Sequence, residues 1–437
     1  MDRIIGKGSR SLLVFAAGFF LMTTSRADSL KTLPNGLRYV VVEDNAAPVV
    51  SLQIHVRCGG VNEEGSLIGV SHFLEHMIFK GTAKISAGEI AKVVESNGGS
   101  INAATGTEET QYYIDMPSDL FDRAFDVLAD SVVHPSFPPD EFEKERGVIL
   151  EEIKRRNDDP QSSLWDGFLE TLYRRTPYKN DVIGSTKTVG EMTRDMMVSQ
   201  HDKFYVPSNM VVVVVGNVKA AHAEKRIKDF FGPLPKVPVP AQPNLFEPPS
   251  DDPEIKMFHR PAKQSHVALG FVGPTLNDPS QVSMDVLSTV LGGGQSSRLY
   301  QILREEKQFV WSVGSTFISH AGTGAFGVFA ECPPERARGL TNDVYFILDQ
   351  AVTDGFSTEE LARAKAQIRS SWLFGQETYH GQASQWGFYA ILGRPLLATT
   401  YLKELDRVTL QDLHNLLVIY FGSRQLSGAI VTPSDEK

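Results

Sequence analysis

The feature that most constrains the fold is a short pattern of histidine and glutamate, His72-Phe73-Leu74-Glu75-His76. Residues four apart on an α-helix lie on one face, about one turn from each other. Two imidazoles at this spacing can therefore reach one metal ion, at roughly 2.0–2.1 Å if the ion is zinc. Glu75 follows His72 by three residues, so its carboxylate can face the same ion. The pattern predicts a helix here, with a metal site on one of its faces.

A third ligand is needed, because a catalytic zinc ion usually has three protein ligands and one water molecule. Residues 143–154 show a helical pattern of apolar residues among charges. Within it, Glu145 and Glu152 are seven residues apart and lie on nearly the same face, about two turns from each other. Glu151 points about 100° away from Glu152. The alternative interpretation is a solvated acidic helix face, which is what most glutamate-rich helices are.

Residues 72–82, His-Phe-Leu-Glu-His-Met-Ile-Phe-Lys-Gly-Thr, resemble the pitrilysin, insulinase and mitochondrial-processing-peptidase family of inverzincin zinc metallopeptidases. Further matching pieces are Asn102-Ala103-Ala104-Thr105, Gln111-Tyr112-Tyr113 and residues 205–210. The resemblance covers essentially the whole mature chain, in a bacterial, half-length and secreted form.

This resemblance implies one zinc ion per chain, held by His72, His76 and a glutamate about 76 residues after the second histidine, which is Glu152. It also implies a supporting glutamate seven residues earlier, Glu145, that orients a ligand. The implied reaction is peptide-bond hydrolysis with zinc-bound water as nucleophile and Glu75 as general base, which then passes the proton to the leaving amine. Manganese and cobalt stay open as competing metals.

For the substrate, the resemblance implies an edge strand that takes up the peptide as an added strand, with Asn102 and Ala103 near the scissile bond. The alternative there is an ordinary hairpin. The resemblance further implies an arginine and a tyrosine, seven residues apart, that hold substrate at the opposing half of a clamp. Arg304 matches the arginine, but Trp311 stands at the tyrosine position and has no hydroxyl. This departure counts against a homodimer that completes its own site. The alternative to a substrate role for the pair is a surface arginine and a core tryptophan.

The first 27 residues have the pattern of a signal peptide. Arg3, Lys7 and Arg10 precede an apolar run, and Ser25-Arg26-Ala27 offers small residues at a cleavage site. The apolar run is about half of the roughly 20 residues that a membrane span requires. We therefore expect export across the inner membrane, with a periplasmic location and no stable membrane span.

A proline-rich stretch, residues 233–253, predicts a linker between two domains of ordinary size. We expect an N-terminal zinc-peptidase domain over 28–232 and a homologous non-catalytic domain over 254–437. The fold class expected is α+β, with two homologous mixed α/β domains, each a mainly antiparallel sheet packed with helices, that together form half of a peptidase clamp.

The two halves resemble divergent copies of one unit, with apolar strands at 49–56 and 266–272 and a later pair of helices in each. Aligning Glu141 with Glu360 places Ala364 opposite Glu145 and Ser371 opposite Glu152. The second half also has no H-x-x-E-H pattern. The sequence therefore assigns the metal site to the first half alone.

The net charge of −10 disfavours nucleic acid and anionic membranes as partners. Two cysteines, Cys58 and Cys332, do not make a disulfide framework. No G-x-S-x-G occurs, so a serine hydrolase has no support.

The function expected is a zinc endopeptidase that acts on short or unfolded peptides inside an enclosed chamber. The chamber would be closed by a dimer, for which a homologous partner lacking the zinc motif is favoured over a second copy. Alternative functions are a peptidase that removes leader sequences and a non-catalytic assembly subunit.

Overall fold

The computed structural model describes residues 30–239, 242–250, 252–421 and 426–434. The signal peptide expected at 1–27 lies outside the described residues. The strands are β1 (Leu30–Thr32), β2 (Arg38–Glu43), β3 (Val49–Val56), β4 (Ser100–Thr105), β5 (Thr110–Pro117), β6 (Met210–Gly216), β7 (Ile255–Arg260), β8 (Ser265–Gly273), β9 (Ser312–Ser319), β10 (Gly324–Cys332) and β11 (Ser427–Pro433).

The helices lie between and after the strands of each half. They are α1 (Val70–Ile78), α2 (Glu89–Glu95), α3 (Phe121–Val133), α4 (Pro139–Asn157), α5 (Pro160–Leu172), α6 (Thr186–Glu191), α7 (Arg194–Phe204), α8 (Ala220–Phe231), α9 (Gln281–Gly292), α10 (Ala337–Asp354), α11 (Thr358–Gly375), α12 (Tyr379–Ile391), α13 (Leu397–Arg407) and α14 (Leu410–Tyr420).

The strands form two sheets with the same internal order. The first sheet runs β1-β2-β6-β3-β5-β4 and the second runs β7-β11-β8-β10-β9. In each sheet one pair is parallel, β2 with β6 and β7 with β11, and the other pairs are antiparallel. The expected α+β fold of two mixed, mainly antiparallel sheets packed with helices is confirmed, and the shared order fits the expected duplication.

Strand β6 shows why both faces of the first sheet are covered. Its sequence, Met-Val-Val-Val-Val-Val-Gly, is buried at all seven positions. Val212 and Val214 pack in the cluster that contains α1 and α3, whereas Val211, Val213 and Val215 pack in the cluster that contains α12. A continuous apolar strand of this kind is typical of a sheet with helices on both faces.

Two helices are exchanged between the halves. Helix α12, from the second half, packs against β3 and β6 of the first sheet, and helix α5, from the first half, packs against β8 and β11 of the second sheet. A glycine allows each close approach, because a Cβ at Gly387 of α12 would overlap the ring of His55 and a Cβ at Gly167 of α5 would overlap the ring of Phe258. The tertiary packing therefore crosses the boundary that the sequence places at 233–253.

The expected linker contains no helix or strand among its described residues. It is nevertheless anchored, since the buried carboxylate of Glu247 accepts hydrogen bonds from the backbone N–H groups of Arg175 and Thr176 and from the Thr176 hydroxyl. Cys58 and Cys332 are both free thiols and both buried. In the described part of the chain, no helix is long and apolar enough to cross a membrane.

Candidate metal centre

Helix α1 presents the histidines because its two faces differ. Phe73, Leu74 and Met77 are fully buried in the core of the first half, while His72, Glu75 and His76 lie on the partly exposed side. The residue before the helix is Gly69, whose φ of +100° suits glycine. The buried carboxylate of Glu63 accepts hydrogen bonds from the N–H groups of Gly69 and Ser71, both at 2.7 Å. These bonds satisfy donors that a helix start leaves without intrahelical partners.

Helix α4 brings Glu152 to the two histidines. Oε2 of Glu152 lies 3.7 Å from Nε2 of His76 and 3.9 Å from Nε2 of His72. One ligand atom from each of the three residues lies within 4.8 Å of the others, and they are the one such group of three in the described ranges. The three residues that the sequence proposed as metal ligands are therefore together in space, and their role as ligands stays a prediction.

The donor set fits a zinc ion. Two imidazole nitrogens and one carboxylate oxygen are ligands that zinc accepts, and their separations exceed those of direct hydrogen bonds. A ligand must offer a lone pair, so each histidine must be neutral. Burial and the neighbouring His76 lower the pKa of His72 to about 4, which leaves its ring neutral at physiological pH.

Glu145 lies on α4 two turns before Glu152 and contacts the His76 ring at Nδ1. Its Oε2 is 2.9 Å from Nδ1 of His76 and its Oε1 is 2.6 Å from Nζ of Lys80. Burial acts to raise the pKa of Glu145, but the bonds from Lys80 and His76 outweigh it, so the pKa is lowered. An ionised carboxylate only accepts, so Nδ1 of His76 carries the proton and Nε2 is left free to face Glu152.

Glu75 is held by a different residue. The hydroxyl of Thr105, at the end of β4, donates a hydrogen bond of 2.5 Å to Oε2 of Glu75. This bond fixes one carboxylate oxygen, and Glu75 is not one of the three converging ligands. The sequence gives no role to Thr105 beyond its place in the run Asn102-Ala103-Ala104-Thr105 that resembles the family. Nothing in the spacing of residues 75 and 105 indicates contact.

Strand β4 forms an edge of the first sheet, as the sequence predicted for Asn102 and Ala103. The side chain of Asn102 accepts a hydrogen bond from the N–H of Ala103, at 2.9 Å. Both residues line a cavity of about 570 Å³ that adjoins the centre. Its lining also includes Glu75, His76, Phe79, Lys80, Ala87, Gly88, Ala91, Glu141 and Glu145.

Arg304 and Trp311 lie apart from this cavity. Among the described residues, the cavity is lined from the first half alone, between residues 75 and 145. Arg304 lies in a π-helix over Tyr300–Glu306, in the second half of the chain. Nε of Arg304 donates to the carbonyl oxygen of Trp311 at 3.1 Å, and the Trp311 side chain is 47% exposed. The alternative of a core tryptophan is therefore wrong, and the proposed substrate role of Arg304 stays a prediction.

The counterpart of α4 in the second half carries no ligands. Helix α11 has Ala364 and Ser371 at the positions aligned with Glu145 and Glu152, and Ala364 is its one buried residue. The sequence assigned the metal site to the first half alone, and the three converging donors lie there.

Residues 39–186 match a family described as Insulinase (Peptidase family M16), and residues 191–368 match one described as Peptidase M16 inactive domain. An uncharacterized zinc protease of Mycobacterium tuberculosis is 34% identical over 93% of this chain and 93% of its own length. The uncharacterized zinc protease YmxG of Bacillus subtilis is 29% identical over 92% of this chain and 98% of its own length.

Solved structures agree with these relatives. A protease from Helicobacter pylori superposes with a TM-score of 0.87 at 27% identity, covering 92% of this chain and 99% of its own. A peptidase M16 inactive domain from Pseudomonas fluorescens superposes with a TM-score of 0.85 at 20% identity, covering 93% and 98%, and shows likeness of fold alone.

Proposed function

This chain belongs to the insulinase family, peptidase family M16, and we propose that it is a zinc-dependent endopeptidase for short or unfolded peptides. The observation that carries the proposal is the convergence of His72, His76 and Glu152 beside a carboxylate, Glu75, that is not part of the ligand group. Both histidines and both glutamates are present, which is the full set that hydrolysis requires.

In the proposed mechanism, His72, His76 and Glu152 would hold one zinc ion. Bound there, zinc would supply the positive charge that activates water and polarises the peptide carbonyl. Glu75 would accept the proton of the attacking water and then pass it to the departing amine. The Thr105 hydroxyl would keep one oxygen of Glu75 fixed during this transfer, and Glu145 would keep the ring of His76 in place.

The proposed substrate-binding element is the free edge of β4. A peptide that adds to this edge would bond through its backbone, so side-chain preference would be loose. Asn102 and Ala103 line the cavity beside Glu75, so a strand added there would run within reach of the proposed base. This geometry favours extended, unfolded segments over folded proteins.

We further propose that a second subunit closes the site. The cavity's described lining comes from the first half, and Arg304 of the same chain is not part of it. Arg304 would instead contact substrate in the centre of a partner chain, either a homologous subunit without the zinc motif or a second copy. A periplasmic location is proposed on the signal-like residues 1–27.

The test is hydrolysis of a mixed peptide library by the purified chain, with Glu75→Gln as the variant and Glu151→Gln as its matched control. Glu75→Gln should lower turnover by about 10²–10⁴-fold, the range for loss of a general base, while the protein keeps its zinc. Glu151 is exposed on α4 and adjacent to Glu152, so Glu151→Gln should cleave normally.

Each other outcome has a defined meaning. Equal turnover by Glu75→Gln and the wild-type chain would contradict the assignment of Glu75 as base. Cleavage at one site near the amino terminus of precursor peptides, with other peptides intact, would indicate leader processing. A zinc-loaded chain that cleaves only after a homologous subunit is added would support the proposed heterodimer, and one that never cleaves would indicate an assembly subunit.

A further inference from the structure

Lys80 lies beside the proposed centre without being one of its ligands. It follows His76 by four residues, just after helix α1 ends, and its backbone N–H donates to the carbonyl oxygen of Met77 at 3.0 Å. This last turn directs the side chain towards α4, where Nζ reaches Glu145 at 2.6 Å. The Lys80 side chain is 29% exposed, so the ion pair is largely shielded from solvent.

The carboxylate of Glu145 is held at both of its oxygens. Lys80 holds Oε1 and the ring of His76 holds Oε2, and the Glu145 side chain is 11% exposed. A carboxylate that is bonded at one oxygen alone can rotate about its last bond. Two bonds on opposite sides remove that freedom and fix the direction in which the acceptor faces His76.

We propose that Lys80 is a positioning residue for the metal centre, because it locks Glu145 in the orientation that aims His76 at the ion. The inference rests on the proposed zinc site, and it adds a residue that the ligand pattern does not include. Lys80 would act through Glu145 and His76, without contact to the ion or to the substrate.

The charge of Lys80 and its positioning role predict opposite changes in zinc affinity when the lysine is replaced, so the direction of the change tests the inference. A lysine so close to the centre repels a cation. If this electrostatic repulsion were its main effect, removal of the lysine charge would tighten zinc binding. Loss of positioning would weaken zinc binding instead, since partners of metal ligands typically contribute about 10–100-fold in affinity.

The experiment measures the zinc dissociation constant of the full chain by competition with a chromophoric chelator. The variants are Lys80→Met, which keeps the length of the side chain without its charge, and Lys80→Arg, which keeps a donor. The matched control is Lys84→Met, because Lys84 forms an ion pair of 2.7 Å with Asp130, away from the cavity lining. Thermal melting of each metal-free chain shows whether it is folded.

We expect Lys80→Met to weaken zinc binding about tenfold, Lys80→Arg to recover most of that loss, and Lys84→Met to bind as the wild-type chain does. Unchanged or tighter binding by a folded Lys80→Met chain would overturn the inference. If Lys80→Met does not fold, Lys80→Arg and Lys80→Gln decide by the same measurement, with wild-type affinity in both contradicting the role. Failure of the wild-type chain to bind zinc would instead refute the proposed site itself.

Discussion

The two halves of the chain share one strand order but differ at the second α-helix after β5 and β10, which is α4 in the first half and α11 in the second. Helix α4 of the first half buries Phe142, Glu145, Ile149 and Ile153, whereas the aligned α11 buries Ala364 alone. Helix α4 packs against α1, whereas α11 packs against α9 and α13 of its own half. The difference teaches that the shared sheet supplies a scaffold, while the proposed chemistry depends on which side chains the aligned helices carry, Glu145 and Glu152 in α4 against Ala364 and Ser371 in α11.

The same comparison holds for the residues at the two sheet edges. In the first half, Thr105 at the end of β4 bonds the proposed base Glu75. In the second half, Ser319 ends the corresponding edge strand β9, and Arg304 lies in a π-helix that contacts the same strand. The end of the edge strand thus contacts a proposed catalytic residue in the first half, whereas the second half has no H-x-x-E-H pattern.

The largest expected effect is a loss of zinc affinity and of hydrolysis, and it comes from replacing the residue at one of two aligned helix positions by alanine. Glu152→Ala should weaken zinc binding by more than about 100-fold and abolish peptide hydrolysis, because it removes a proposed ligand. Ser371→Ala, at the aligned position of α11, should change neither. Zinc competition titration and a peptide cleavage assay check both variants. Normal zinc affinity in Glu152→Ala would break the distinction between the two helices.

The two helices that pack against the sheet of the other half, α12 and α5, allow a second comparison, between glycine-to-alanine variants in each. Gly387→Ala should lower the free energy of unfolding by about 2–3 kcal/mol, since its Cβ would overlap a fully buried His55 ring that is held at both nitrogens. Gly167→Ala should have a smaller effect, because Phe258 is only half-buried and can turn aside. Urea unfolding of the two variants decides the order. An equal or larger loss in Gly167→Ala would show that the two contacts are not distinguished by the rigidity of the ring.

The folding stability should depend on pH through Asp285, a residue of the second half. Burial raises the pKa of Asp285 to about 7, although Tyr401 and Gln281 donate hydrogen bonds to it at 2.7 and 2.8 Å. The folded chain therefore binds this proton more tightly than the unfolded chain, whose aspartates have a pKa of about 3.9. The folding stability that this proton contributes is present below about pH 4 and is lost as the pH rises to about 7.

Asp285→Asn should consequently lose about 2 kcal/mol less stability than the wild-type chain when the pH is raised from 5 to 8. Urea unfolding at the two pH values measures this difference, and zinc affinity should be the same in both proteins. Parallel pH profiles in the two chains would contradict the protonation of Asp285.

The smallest expected effect concerns the two edge strands. Thr105→Val should lower kcat about tenfold, the value of about one hydrogen bond to a charged group, and leave zinc affinity unchanged. Thr105→Ser should restore activity, because the donor returns. Ser319→Ala, at the end of β9, should leave kcat unaltered. Weaker zinc binding in Thr105→Val would indicate that the threonine supports the ligands and not the base.

The helix around His72 and His76 could be predicted from spacing alone, because a period of 3.6 residues fixes which side chains share a face. Choosing Glu152 over Glu151 followed from the same period together with the family resemblance. The roles of Lys80 and Thr105 could not be predicted, because each depends on where a different element meets α1. Local periodicity carries no information about such contacts.

The packing of α5 and α12 against the sheet of the opposite half also could not be predicted from the sequence. Both helices have apolar faces, but an apolar face does not indicate which sheet will cover it. The proline-rich residues 233–253 predicted a linker between two domains, and in the structure α5 and α12 each pack against the sheet of the other half. Gly167 and Gly387 allow the two close approaches, but isolated glycines have many causes and do not identify the partner sheet.

The exchange of α12 has a consequence for the order in which the protein can form during synthesis. Strand β6 is complete when residue 216 has been made, but Val211, Val213 and Val215 are covered by α12, which begins at Tyr379. Until the ribosome has added those later residues, one apolar face of a finished sheet has no cover. The first half would be prone to association with other nascent chains or dependent on a chaperone during that interval. A fragment that ends before α12 should therefore aggregate, even though it carries every proposed zinc ligand.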